Sequence, residues 1–286
     1  MTPGTLYVVA TPIGNLEDIT LRAVRVLRAV RLIASEDTRR TARLLAHFDI
    51  SAPTTSLHEH NERTKTPHLL ARLNAGDDIA FVTDAGTPGI ADPSARLVAA
   101  AVAGGIEVTP VPGPSALVAA LSASGFDADS FTFGGFLAPK GSARREAIAA
   151  LAREPRTVIL YEAPHRIRRT LADLAATMGA RRACVARELT KIHEEWLRGT
   201  LDDLAARLSR VTARGEFVIV IDRQVETRIE TGNPAAARAA YDELVRKGLS
   251  RKEAIKEVAR QFGVSSRAIF GMLEATKLPG TDREAG

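Results

Sequence analysis

Residues 79–83, IAFVT, run directly into residues 84–93, DAGTPGIADP. The first five are apolar or β-branched and read as a buried strand. The next ten hold Gly86, Pro88, Gly89 and Pro93 and read as a tightly shaped loop. Glycine lets a backbone take positive φ and approach a ligand closely, and proline freezes the loop beforehand. A helical pattern follows. This order places the loop at the carboxyl end of a strand, where open parallel sheets bind ligands. The chain opens with the same grammar: residues 6–10, LYVVA, lead into Thr11-Pro12-Ile13-Gly14-Asn15. Neither loop is GxGxxG or GxxxxGK[ST], which argues against NAD and against the phosphates of ATP.

Outward from these two loops, strand-like runs recur at 31–35, 106–111, 130–136, 156–161, 182–187 and 216–222. Helical patterns lie between most of them, which predicts an α/β fold with mainly parallel sheets. Thr20 caps a helix through residue 30. Thr66-Pro67 and Asp92-Pro93 are N-cap and N1 pairs, and Thr200 opens TLDDLAARL. A break near 124–130 predicts two α/β subdomains, 1–122 and 126–225. A polar link at 224–233 leads to a helical region at 234–278. There Ser250, the Gly263 turn and Ser265 fit a helix-turn-helix; a plain three-helix bundle holding subunits together fits the same residues.

The 286 residues suffice for two domains and a small appendage, and 45% of them are hydrophobic, enough for packed cores. No apolar run reaches the ~18–20 residues of a membrane span. The early first strand leaves no room for a signal peptide, so the cytoplasm is the expected compartment. The single cysteine, Cys184, excludes an internal disulfide and cysteine-based zinc sites. Net charge is +5, and residues 22–43 hold seven Arg against Glu36 and Asp37. Such a balance favours a polyanionic partner.

Other polar clusters leave strand ends. Ser35-Glu36-Asp37-Thr38-Arg39-Arg40 follows one strand, and its Asp37 and Arg39 are placed to order the first Gly/Pro loop. Ser115 in Pro112-Gly113-Pro114-Ser115-Ala116 either bonds a ligand or begins a helix. Tyr161-Glu162-Ala163-Pro164-His165-Arg166 gathers four polar groups. Arg187-Glu188-Leu189-Thr190-Lys191 with His193-Glu194-Glu195 is either a phosphate and proton-transfer cluster or a solvated charged hairpin. His58-Glu59-His60-Asn61-Glu62 lacks the HExxH spacing, so no metal is expected; RNA or subunit contact fits it better.

In their order and spacing, nine segments resemble the tetrapyrrole methylase superfamily, and within it the branch that methylates ribosomal RNA on ribose. They are TPIGNLEDIT (11–20), SEDTR (35–39), HEHNE (58–62), VTDAGTPGIADP (82–93), VPGPSA (111–116), GGFLAPKG (134–141), YEAPHRI (161–167), RELTKIHEE (187–195) and GEFVIVI (215–221). One departure is Ala138, which separates Phe136-Leu137 from Pro139-Lys140. The resemblance implies S-adenosylmethionine in a cleft between two α/β subdomains, and a homodimer. It implies transfer to the ribose 2′-oxygen of a cytidine in the decoding region of 16S ribosomal RNA, on the small subunit. Cofactor contacts would fall on Pro12, Gly14, Gly86, Thr87, Ile90, Ser115, Ala116, Glu162, Ala163 and Gly215.

A ribose hydroxyl is a poor nucleophile, so a base or a favourable charge is needed; Glu59, Asp84, Glu188 and Lys191 are the candidates. Arg39, Arg40, Arg43, Lys140 and Arg166 are the expected phosphate contacts. Two rival readings are methylation of a small tetrapyrrole and a DNA-binding regulator that senses a ligand. The first leaves the basic segments without a role.

Overall fold

A computed structural model describes residues 2–91, 95–209, 215–223, 234–262 and 264–275. The chain forms two compact units, Met1–Arg223 and Gln224–Gly286. The first unit carries two five-stranded sheets. The sequence expectations at Asp92-Pro93, the 224–233 link and Gly263 lie outside the described residues.

The first sheet is built from β1 (Leu6–Val9), β2 (Leu32–Ser35), β3 (Thr54–Ser56), β4 (Ile79–Val82) and β5 (Val108–Val111), in the order β3-β2-β4-β1-β5. Its strands are all parallel. Helices α1 (Leu21–Ala29) and α2 (Thr38–His47) cover one face, and α3 (Glu62–Asn74) and α4 (Ala95–Ala103) the other. The strands alternate accordingly. Ile79 and Phe81 pack with Leu69, Leu73 and Leu97, while Ala80 and Val82 pack with Leu27 and Leu45. The two Gly/Pro loops therefore leave neighbouring strands, β1 and β4, at the same edge.

The second sheet holds β6 (Phe131–Phe136), β7 (Thr157–Glu162), β8 (Arg182–Arg187), β9 (Glu195–Thr200) and β10 (Phe217–Ile221), in the order β6-β7-β10-β8-β9. The expectation of mainly parallel sheets fails here. β6 and β7 are parallel, but β10 runs antiparallel to both β7 and β8, and β9 antiparallel to β8. Residues 188–194 are too short for a crossover helix, so β8 and β9 form a hairpin. Helices α6 (Ser142–Ala152), α7 (Ile167–Met178) and α8 (Leu201–Ser209) pack on one face. The other face is closed by α5 (Ala116–Ser124), whose Leu117, Ala120 and Leu121 meet Ile159, Cys184, Val218 and Val220. The helix that leaves the first sheet thus supplies a core to the second.

Local signals place most helix starts. The Thr20 hydroxyl accepts the Ala23 amide at 3.1 Å. Thr200 and Asp203 form a reciprocal cap, hydroxyl to amide and amide to carboxylate, at 3.1 and 3.2 Å. Thr66-Pro67 is a correction: α3 begins at Glu62, with Pro67 inside it. Asn61 takes over the start, its Oδ1 accepting the His58 amide at 2.9 Å. The second unit holds α9 (Pro234–Arg246), α10 (Arg251–Phe262) and α11 (Ser266–Ala275), packed around Ala237, Val258, Phe262, Ile269 and Leu273. Ser250 and Glu253 cap α10 reciprocally, and the Ser265 hydroxyl accepts the Ala268 amide.

Candidate functional site

The two Gly/Pro loops are joined by backbone. The Thr11 amide donates to Gly86 O at 2.9 Å, and the Gly86 amide donates to Thr11 O at 3.0 Å. Gly86 has φ +83°, and a Cβ there would lie 3.3 Å from Ile13 Cγ2. The Thr87 hydroxyl donates to Pro114 O at 3.0 Å. The loops after β1, β4 and β5 are therefore one cross-linked wall.

The second sheet meets this wall through Tyr161. Ser115 precedes α5 but makes no side-chain cap. The Tyr161 hydroxyl instead accepts the Leu117 amide at 3.0 Å, so a side chain from β7 caps a helix that leaves the first sheet. Burial raises the Tyr161 phenol pKa, against the pull of the Leu117 amide and Ser115, and the group stays neutral at physiological pH. Phe133 and Phe136 stand edge-on to its ring, at 4.9 and 5.7 Å between centroids.

Between wall and sheet lies a cavity of about 440 Å³, within the ~300–1,000 Å³ range of small-molecule sites. Gly86, Thr87, Ile90, Ser115, Ala116, Glu162 and Ala163 line it, all expected there from the sequence. Pro12, Gly14 and Gly215 stand beside it, and their neighbours Ile13, Glu216, Phe217 and Val218 supply the surface. Gly14 is pressed by Lys191, whose Cγ would lie 2.5 Å from an added Cβ.

Among the candidate bases, Asp84 alone is on the cavity wall. Its Oδ1 accepts the Asp37 amide at 3.0 Å, and its Oδ2 pairs with Arg40 at 3.3 Å. Asp37 therefore orders the second Gly/Pro loop, not the first. Its carboxylate caps α2 and is held down to about 2 by the Arg39 guanidinium. Glu188 and Lys191 are bound to each other at 2.8 Å, and Lys191 reaches Glu216 at 3.4 Å. Burial pushes Glu188 up, but Lys191, the Glu216 amide and Arg187 outweigh it and hold the carboxyl below its usual range. Burial likewise pushes Lys191 down, and Glu188 and Glu216 outweigh it, so the ammonium titrates above its usual value. A lysine held protonated cannot take up a proton. Glu59 is exposed on the turn before α3, away from the cavity lining.

Arg40 touches the cavity, while Arg39 and Arg43 lie exposed on α2. Lys140 is exposed in the turn before α6. Arg166 is half-withdrawn: it pairs with Glu162 at 3.2 Å and donates to Leu137 O. Glu162 also accepts the Thr170 hydroxyl at 2.6 Å, and Thr170 accepts from the buried Arg144, which pairs with Asp173. This network fixes the floor of the cavity from behind.

Sequence reasoning missed Glu36. It follows β2, lines the cavity and accepts the Thr83 hydroxyl at 3.0 Å. Thr83 lies 47 residues away, and the adjacency exists only because β2 and β4 pair.

Comparison with known proteins gives the class first. Residues 5–205 match the model of the tetrapyrrole (corrin/porphyrin) methylases. Solved structures share the architecture. One is a diphthine synthase, with TM-score 0.61 and 14% identity, covering 77% of this chain and 90% of that one. Another is a Thermus thermophilus uroporphyrin-III C-methyltransferase complexed with S-adenosylhomocysteine, with TM-score 0.54 and 18% identity, covering 77% and 97%. Sequence relatives are narrower. A Synechocystis protein named ribosomal RNA small subunit methyltransferase I is 48% identical over 268 residues, 93% of this chain and 96% of its own length. Its namesake in Halalkalibacterium halodurans is 43% identical over 272 residues, 94% of each chain. The chain belongs to the tetrapyrrole methylase family, in the branch of the ribosomal RNA small subunit methyltransferase I proteins.

Proposed function

We propose that this chain transfers a methyl group from S-adenosylmethionine to small-subunit ribosomal RNA, at the ribose 2′-oxygen of a cytidine in the decoding region. The observation that carries the reading is the cavity between the cross-linked Gly/Pro wall and the second sheet. Its chemistry suits this donor. Ile13, Ala116, Leu189 and Val218 offer apolar surface for a purine, and Asp84 and Glu216 offer negative charge for a cation. A Cβ at Gly86 would crowd it. S-adenosylmethionine supplies an electrophilic methyl carbon on a positively charged sulfur.

The chain's own work is positional. The backbone of Gly86, Thr87, Ser115, Ala116 and Ala163, with Ile13 and Ile90, holds the donor. Pro12, Gly14 and Gly215 shape the wall behind it. In-line transfer needs the acceptor oxygen about 3 Å from the methyl carbon. Arg39 and Arg43 are one turn apart on α2, next to cavity-lining Arg40, and they contact RNA phosphates together with Lys140. Folded RNA is recognised chiefly through backbone and shape, so affinity falls with salt. A second copy of the chain belongs to the same reading. Leu21, Val118 and Ile192 are 91%, 57% and 98% exposed and supply apolar surface for it.

The test incubates the protein with methyl-labelled donor and unmodified small ribosomal subunits, then maps the label by mass spectrometry of nuclease digests. Label on one cytidine ribose is expected. Label entering only an added porphyrinoid, or no RNA, refutes the reading.

A further inference from the structure

Four carboxylates line the cavity among the described residues: Glu36, Asp84, Glu162 and Glu216. Three are committed elsewhere. Glu162 is buried and holds Arg166, Thr170 and its own neighbour's amide. Asp84 holds the Asp37 amide and Arg40. Glu216 extends into solvent, with its side chain 73% exposed and Lys191 beside it. Glu36 differs. It is half-buried, and no ion pair among the described residues includes it. Its partner there is a neutral hydroxyl, Thr83 Oγ1, which donates to Oε2 at 3.0 Å. Thr83 is buried at the end of β4, and its carbonyl accepts the Thr11 hydroxyl at 3.2 Å. One carboxylate oxygen is thus oriented by the wall. A carboxylate has about four acceptor sites, so the group keeps capacity for a donor arriving in the cavity.

We propose that Glu36 is the catalytic base: its carboxylate receives the hydroxyl proton of the acceptor ribose, and Thr83 is the positioning residue that aims it. This rests on the methyl-transfer reading above. The balance is simple. The acceptor O–H bond breaks and its proton goes to Glu36. The oxygen's electron pair forms the bond to the methyl carbon, and the carbon–sulfur pair returns to sulfur, cancelling its charge. Glu36 then loses the proton to water. No further reactant is needed.

Glu36→Gln keeps the shape and removes the basicity. Donor affinity measured calorimetrically with S-adenosylhomocysteine is expected to stay within about threefold, while single-turnover methylation falls by roughly 10²–10⁴, the usual worth of a positioned base. A second readout needs no turnover. Wild-type protein should bind small-subunit RNA about tenfold more tightly than RNA carrying a 2′-deoxy sugar at the mapped nucleotide, since a hydrogen bond to a charged group is at stake. Glu36→Ala should bind both equally. Thr83→Val, near-isosteric, should lose about tenfold in rate with donor affinity kept, and it serves if the Glu36 variants do not fold. The proposal is overturned by a Glu36→Gln rate near wild type, by joint loss of donor binding, or by intact 2′-hydroxyl discrimination in Glu36→Ala. Failure of the parent reading is separate: wild-type protein would then label no RNA.

Discussion

Gly86→Val strikes the cavity wall where backbone conformation and free space are both constrained. Gly86 sits at φ +83°, a region that costs an L-residue about 1–2 kcal/mol and a β-branched one more. Its added Cβ would lie 3.3 Å from Ile13 Cγ2 and 3.8 Å from Pro114 O, before the two valine methyls are counted. If the loop holds its place, about 2 kcal/mol of strain lowers the melting temperature by roughly 4–8 °C for a unit of this size. If the loop yields, the paired Thr11–Gly86 bonds open and the same energy leaves donor affinity, roughly 30-fold. Gly86 lines the cavity, so added bulk there is expected to compete with the donor in either case. Calorimetric titration with S-adenosylhomocysteine should therefore show at least a ~30-fold weaker Kd. Gly105→Ala is the control, with φ +69° and nothing within 4 Å of the added Cβ, in the turn before β5. It should lower the melting temperature and leave affinity alone. Wild-type affinity in Gly86→Val would refute the placement of the donor against this loop.

Two further outcomes follow from the ion pairs. Glu162→Ala strands the Arg166 guanidinium and the Thr170 hydroxyl beside a buried void; a loss of about 3–5 kcal/mol should lower the melting temperature by roughly 6–20 °C, and a change under 1 °C would show that the network does not brace the cavity floor. Glu188 titrates low in the folded state and Lys191 high, so their mutual stabilisation holds above the ordinary carboxylate range near pH ~4.3 and below the ordinary lysine value near ~10.4. It is lost as acid protonates Glu188 and as alkali deprotonates Lys191. The melting-temperature gap between wild type and Lys191→Met should thus be widest between pH ~5 and ~10 and close at both ends; a gap constant with pH would contradict the pairing.

How much of this fold is legible in the sequence depends on where each strand lies. The central strands β1, β4, β7, β8 and β10 are apolar on both faces and stand out as runs. The strands that escaped notice, β3 and β9, are sheet edges with partly polar sequences, TTS and EWLRGT. An edge strand has only one neighbour and can carry polar residues; β5 and β6 are edges too, but VTPV and FTFGGF keep enough apolar residues to show as runs, whereas TTS and EWLRGT do not. Strand direction in the second sheet was equally hidden, because alternation of strands and helices says nothing of where β10 inserts. The Gly/Pro loops were legible because backbone shape is written in glycine and proline. In the sequence Ser115 reads as either a ligand contact or a helix start, and Tyr161 as a polar group at a strand exit; the structure gives the capping to the tyrosine and leaves Ser115 on the cavity lining. Glu188 and Lys191 stand out in the sequence as charges, and those charges are spent on each other. Glu36 carried no local signal beyond its place after β2, since its meaning comes from Thr83 on the adjacent strand.

The Tyr161–Leu117 bond explains why so few side chains are needed to shape this cavity. Residues 112–115 hang between two fixed points. Pro114 O is held by Thr87 of the β4 loop, and the Leu117 amide is held by Tyr161 of β7. Because α5 also packs its apolar face on the second sheet, displacement of the Gly/Pro wall has to move a helix buried among Ile159, Val218 and Val220. Cores packed like crystals resist such motion. The wall is therefore rigid before any ligand arrives, and a pre-shaped backbone surface costs little ordering entropy on binding. That rigidity leaves chemistry to whichever side chain is both oriented and unspent, and on this wall the carboxylate that meets both conditions is Glu36.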